Sequence, residues 1–175
     1  MTPTPPRALL DTCVLYPPIL RDFLLALAAR GVFQPLWSDA IAAEWLHLAR
    51  RDGAADVPAI LARMRARWPA GCVAPGDPAL LDLPDRGDRH VLAAAIAGHA
   101  HLIVTANLRD FPPRALGPYG LHARSPNDFV MDLWLAAPST VEHEVAALWP
   151  GLSGRALRQA LKKAGLSRLG KAQEH

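Results

Sequence analysis

Asp88-Arg89-His90-Val91-Leu92-Ala93-Ala94-Ala95-Ile96-Ala97-Gly98-His99-Ala100-His101-Leu102-Ile103-Val104-Thr105-Ala106-Asn107-Leu108-Arg109-Asp110-Phe111 is the stretch that decides the fold. An apolar, alanine-rich segment opened by Asp88 predicts a helix from Arg89 to Gly98. The short run Leu102-Ile103-Val104 predicts a buried strand. Upstream, Cys72-Val73-Ala74 is a strand candidate, followed by a Pro-containing loop with Asp77, Asp82 and Asp85. Strand, helix, strand is the rhythm of a parallel sheet.

Outward from this unit the same alternation continues. Ala8-Leu9-Leu10 predicts a short strand ending at Asp11. Ile19, Phe23 and Leu27 share a stripe, with Leu20 and Leu24 beside it, and predict a helix closing at Arg30-Gly31. Ser38 can cap a second helix, Asp39 to about Arg51, with Ile41, Trp45 and Leu48 on its apolar face. A third begins after Asp56 and ends near Trp68-Pro69. Leu121-His122-Ala123 reads as an edge strand, and Ser125-Pro126-Asn127-Asp128 as a helix start. Helices of about Val141 to Trp149 and Ser153 to Ala164 close the chain. The expected architecture is α/β: a short parallel β-sheet flanked by helices over residues 1–124, then a helical C-terminal extension over 125–175 with a basic tail.

With 175 residues the chain has material for one well-buried core. At 51% hydrophobic and 20% charged it is neither a disordered chain nor a fibre. Its net charge of +3 conceals a division. From Gly151 onward six basic residues (Arg155, Arg158, Lys162, Lys163, Arg168, Lys171) face Glu174 alone, whereas the preceding 150 residues hold 13 basic and 15 acidic side chains. A slightly acidic body therefore carries a tail of charge +5. No apolar run approaches the ~18 residues of a membrane span, and no leader pattern is visible at the N-terminus, so a cytoplasmic location is expected. Cys13 and Cys72 sit in no metal or disulfide pattern and read as reduced thiols.

Four carboxylates fall where an open α/β sheet presents its functional end: Asp11 and Asp110 after strands, Glu44 on a helix, Asp88 at a helix start. Singly, Asp88 reads as an N-cap, Asp110 as a turn residue and Glu44 as a solvated position. Asp11, directly after a buried strand, must face something polar or cationic. Together they pose an energetic problem, since two negative charges ~5 Å apart repel by about 3 kcal/mol at an effective dielectric of ~20. An all-oxygen cluster without His or Cys suits Mg²⁺ or Mn²⁺. Ions so held favour phosphodiester hydrolysis by water, and no Ser/His or Cys/His arrangement suggests a covalent intermediate.

Leu9-Leu10-Asp11-Thr12-Cys13-Val14-Leu15-Tyr16-Pro17, Ser38-Asp39 with Glu44-Trp45, Asp88 to Ala95, and Val104 to Pro112 resemble the successive motifs of PIN-domain nucleases. Within that family the similarity is to the VapC-like toxins of bacterial type II toxin–antitoxin modules, and it covers about Arg7 to Ala123. The resemblance implies a Mg²⁺- or Mn²⁺-dependent endoribonuclease, an RNA substrate, a homodimer, and an antitoxin protein that inserts a basic residue into the acidic site. By motif match Asp11, Glu44, Asp88 and Asp110 take the acidic positions. Asp11, Asp88 and Asp110 would bind metal directly, and Glu44 would ligate a second ion or orient the water. Thr12, Thr105 and Asn107 take the supporting positions. Asp85, three residues before Asp88, competes for the third acid, and Asp88 is preferred because the apolar helix follows it. Cys13 stands where such sequences most often have Asn, so a supporting hydrogen bond is either lost or replaced by a weak thiol donor.

Other readings meet obstacles in the residues. Arg63, Arg65, Arg67 and the basic tail could follow a phosphate backbone or simply be solvated faces, and the tail's Leu152, Leu157, Leu161 and Leu166 must dock somewhere. His99 and His101 read as a surface turn. A phosphoryl-transfer domain would use a Lys near its Asp, but the first Lys here is Lys162, and no phosphate-binding loop motif occurs. A non-catalytic RNA- or partner-binding module of the same fold would have lost some acids, yet all four positions are filled.

Overall fold

The computed structural model describes residues 3–173, so Met1, Thr2, Glu174 and His175 lie outside it. In chain order the elements begin with β1 (Arg7–Leu10), α1 (Thr12–Leu15), α2 (Pro18–Ala29), β2 (Gln34–Ser38), α3 (Asp39–Asp52), α4 (Val57–Arg67) and β3 (Cys72–Val73). They continue with α5 (Arg89–Ala97), β4 (Leu102–Val104), α6 (Pro113–Leu116), β5 (His122–Arg124), α7 (Pro126–Ala136), α8 (Pro138–Leu148), α9 (Gly154–Lys163) and α10 (Ser167–Ala172). The strands form one sheet in the order β3-β2-β1-β4-β5, and every neighbouring pair is parallel. This is the α/β architecture with a helical C-terminal part that the sequence predicts.

Local chemistry explains the boundaries. The Ser38 hydroxyl accepts the Ile41 N–H at 3.2 Å and starts α3, and Gly53, at φ 74°, ends it in the left-handed conformation that glycine adopts most easily. Ser125 starts α7 in the same way with Pro126 in its first turn. Asp88 precedes α5 but makes no side-chain capping bond, which leaves its carboxylate available.

One element escapes the sequence pattern: β2, Gln34-Pro35-Leu36-Trp37-Ser38, lies second in the sheet between β3 and β1. A proline inside such a strand normally deletes a ladder hydrogen bond. Here the Gln34 N–H donates to Pro6 O on the β1 side and the Trp37 N–H to Gly71 O on the β3 side. By that alternation the N–H that Pro35 lacks would face β3, below the level at which that two-residue strand begins.

Ala8, Leu9, Leu10, Leu36, Trp37, Ile103 and Val104 of the three inner strands are completely buried beneath helices on both faces. The core is continuous into the C-terminal helices. Phe33 meets Phe129 edge-on with ring centroids 5.0 Å apart, and Phe23 meets Trp149 at 5.4 Å. Leu161 and Leu166 of the tail's leucine stripe, with Leu169, are fully buried and Leu157 is partly so, which docks most of the stripe on its own chain, while Leu152 stays 41% exposed. Among the described residues no helix is long and apolar enough to cross a membrane.

Candidate active site

The order β3-β2-β1-β4-β5 reverses its winding between β1 and β4, and an open parallel sheet forms a crevice at the carboxyl ends of such a pair. Asp11 leaves β1 there, only 6% exposed. Its N–H donates to Val104 O at 3.1 Å, which ties it to β4. Three donors hold its carboxylate: the Thr12 N–H on Oδ1 at 2.8 Å, the Thr105 hydroxyl on Oδ2 at 2.9 Å, and the Cys13 thiol on Oδ2 at 3.5 Å. Thr105, fully buried, accepts the Asn107 N–H at 3.1 Å and so fixes the start of the loop after β4.

A second cluster stands across the crevice. The Thr12 hydroxyl donates to Glu44 Oε2 at 2.7 Å, and Glu44 Oε1 lies 2.6 Å from His90 Nε2. Asp11, Thr12, Glu44, Asp88, Asn107 and Cys13 line a cleft of about 480 Å³, with Tyr16, His47 and Leu48 completing its walls. Thr105 lies behind Asp11. Asp110, half-buried at the end of a one-turn 3-10 helix (Leu108–Asp110), does not line the cleft, but its charge reaches Asp88. Asp85 is exposed and accepts the Gly87 N–H at 2.8 Å, while Asp88 faces the cleft.

Sequence reasoning missed His90, Tyr16 and His47. The last two were within reach of helical spacing, since His47 follows Glu44 by three positions and Tyr16 follows Thr12 by four. His90 lies within a quoted motif, but nothing local announces its pairing with a residue 46 positions away.

Electrostatics sets the cleft apart from an ordinary polar crevice. Burial, and then the charges of Asp11, Asp110 and Asp85, push the Asp88 carboxyl up to about 6, while His90 pulls the other way. Among the described residues no Lys or Arg forms an ion pair with Asp11, Asp88 or Asp110. Burial, then the charge of Asp11, push the Cys13 thiol up to about 11, so at neutral pH it stays protonated and donates. It also accepts the Ala106 N–H at 3.3 Å, and thus the thiol bridges the two strand ends where Asn was expected.

The donor set is oxygen-rich and its negative charge is uncompensated, which fits a hard divalent cation. Spacing is looser than charge: among the described residues, no three His, Cys, Asp or Glu side chains are gathered closely enough to hold one ion as they stand.

Asp88 carries a pH signature in the metal-free chain. Its folded carboxyl holds a proton up to about pH 6, and the unfolded one loses it near 3.8. The folded state therefore binds more protons in that window, and this group's contribution to stability falls as pH rises from about 4 to about 6. In EDTA, the unfolding midpoint of the natural chain minus that of Asp88→Asn should decline across the window and level off above it. A flat difference would show that Asp88 does not feel its neighbours.

A family model described as PIN domain matches residues 7–109, more than half of the chain. Over 45 residues the chain is 56% identical to a protein of Mycobacterium tuberculosis (strain ATCC 25618 / H37Rv) named "Putative ribonuclease VapC50", a stretch that makes up 26% of this chain and 27% of that protein. The match thus spans about a quarter of that relative's length. No solved structure matches the chain.

Proposed function

Because the chain belongs to the PIN-domain family, we propose that it is a metal-dependent endoribonuclease that hydrolyses phosphodiester bonds, and the toxin of a toxin–antitoxin pair. The observation that carries this reading is the acidic cleft at the β1/β4 reversal, where burial and three neighbouring carboxylates raise the Asp88 carboxyl and, among the described residues, no Lys or Arg pairs with Asp11, Asp88 or Asp110. RNA is favoured as substrate by the ribonuclease description of the relative.

In this reading Asp11, Asp88 and Asp110 would hold Mg²⁺ or Mn²⁺, drawing closer together than they stand without it. The bound ion supplies a lowered pKa for the attacking water and charge neutralisation on the leaving oxygen. Thr105, Thr12 and Cys13 keep the Asp11 carboxylate oriented, and Asn107 continues the loop that Thr105 anchors. Glu44, steadied by Thr12 on one oxygen and His90 on the other, orients the water for in-line attack. Partners in this role are a small antitoxin that places a basic side chain in the cleft and a second copy of the chain. The site of action is the cytoplasm.

The decisive test incubates the full-length chain with a defined pool of RNAs, and in parallel the matching single-stranded DNAs, in Mg²⁺, in Mn²⁺ and in EDTA. Internal cleavage of RNA with either ion and none in EDTA is the expected outcome. Cleavage that persists in EDTA would sink the carboxylate–metal mechanism. Tight RNA binding without cleavage in any buffer would instead identify a binding module.

A further inference from the structure

A second cavity, about 560 Å³, shares the Cys13 wall of the acidic cleft and opens on its other side. Ala106, between the Thr105 and Asn107 of the site, forms part of it, so the two spaces adjoin at Cys13 and the end of β4. Its floor is apolar. Pro17, Pro18 and Ile19 come from the start of α2, and Ile19 is 53% exposed, an orientation that core packing does not explain. The opposite wall is the α9–α10 turn, where Lys163, exposed, is the one charged lining residue of the groove among the described residues. The C-terminal helices thus border the cavity that shares Cys13 with the acidic site.

Charge selects the occupant. Arg155, Lys162 and Lys163 make the exposed face of α9 basic, and the chain's only lysines are Lys162, Lys163 and Lys171. A cationic segment lying in this groove would be repelled by Lys163, whereas a polyanion there is attracted by it. Volume and lining suit one flat apolar group with a single anion contact. We propose that this groove carries the single-stranded RNA flanking the cleaved phosphate, with Lys163 on a phosphate and the Pro18–Ile19 surface under a base. The inference rests on the nuclease reading and gives the C-terminal extension a share in substrate binding.

The test measures binding of a labelled, mixed-sequence single-stranded RNA of about 12 nucleotides, from about 50 to 200 mM salt. All chains are full length and carry Asp11→Asn so that RNA is not consumed. To this background are added Lys163→Glu, Ile19→Ser, or Arg63→Glu, the last a charge control on α4, which does not line the groove. Lys163→Glu should weaken binding about tenfold and reduce the magnitude of the salt slope by about 0.7, the value of one single-strand phosphate contact. Ile19→Ser should weaken binding with the slope unchanged, and Arg63→Glu should do neither. Equal effects of Lys163→Glu and Arg63→Glu would overturn the groove, leaving only the overall field. So would groove variants that change sedimentation but not RNA affinity, which would make the groove a contact between copies. Natural chain that cuts no RNA in Mg²⁺ or Mn²⁺ overturns the nuclease reading, and this inference with it; the groove variants alone overturn only the inference.

Discussion

Asp11→Asn is expected to abolish metal-dependent RNA cleavage, lowering the rate by about 10³-fold or more, without loss of stability. The rate loss corresponds to roughly 4 kcal/mol of transition-state stabilisation, the several kcal/mol that a correctly held divalent ion contributes. The amide keeps the shape of the site, because its Oδ1 can accept the Thr12 N–H and its NH₂ can donate to the Thr105 hydroxyl oxygen, whose proton can turn to Cys13 Sγ 3.6 Å away, while the long thiol contact to Oδ2 is lost. What disappears is the charge. Since Asp11 is one of the groups that push the Asp88 carboxyl up, its neutralisation also lets Asp88 fall toward an ordinary acid. In EDTA the variant should therefore unfold at the same temperature as the natural chain, or higher. Lost activity with retained stability separates a ligand from a structural residue. A variant that lost both together would show that Asp11 mainly holds β1 to β4.

Trp45→Ala should cause the largest loss of stability, about 3–5 kcal/mol, the usual range for truncating a buried aromatic. Trp45 is 1% exposed on α3, and the guanidinium of Arg21, a residue only 3% exposed, lies 5.5 Å from its ring centroid. Removing the ring opens a cavity beside a buried cation whose remaining partners are Asp22 at 3.2 Å and Leu15 O at 3.4 Å. Because α3 also carries Glu44 and Leu15 ends α1, the damage should reach the cleft, and cleavage should fall alongside stability. Urea unfolding of the natural chain, Trp45→Ala and Trp45→Phe measures the effect. Phe should recover most of the loss by filling the volume and restoring a π face. A loss below about 1 kcal/mol for Ala would mean the site collapses to fill the space.

The parts of the fold legible in the sequence are those in which local preference and tertiary environment agree. β1 and β4 are short apolar runs because both of their faces are covered, and each ends at a residue of the site, Asp11 and Thr105. β2 resisted because Gln34 and Pro35 open it and its one irregularity is tolerated only by the shortness of a neighbour 34 residues on, at Cys72–Val73. α1, α6 and α10 are too short to display a helical period. In the candidate site, the order of the motifs identified Asp11, Glu44, Asp88 and Asn107, all of which border the cleft. His90 could not be anticipated, since its contact with Glu44 depends on how α3 and α5 meet rather than on spacing along either helix. Asp110, named by the same motifs, does not line the cleft and reaches Asp88 through its charge.

The hydrogen bond from Thr105 to Asp11 joins positions 94 residues apart. At about 5–20 residues per second, a ribosome takes roughly 5–20 s to make the intervening chain. During that interval the emerging segment has Asp11 and Glu44 but neither β4 nor the loop that anchors the crevice. Under the proposed nuclease reading the cleft cannot work while the chain is tethered early in its own translation, because the sheet order puts the last-made inner strand beside the first. Synthesis itself thus imposes a delay between the first acids of the site and the finished cleft.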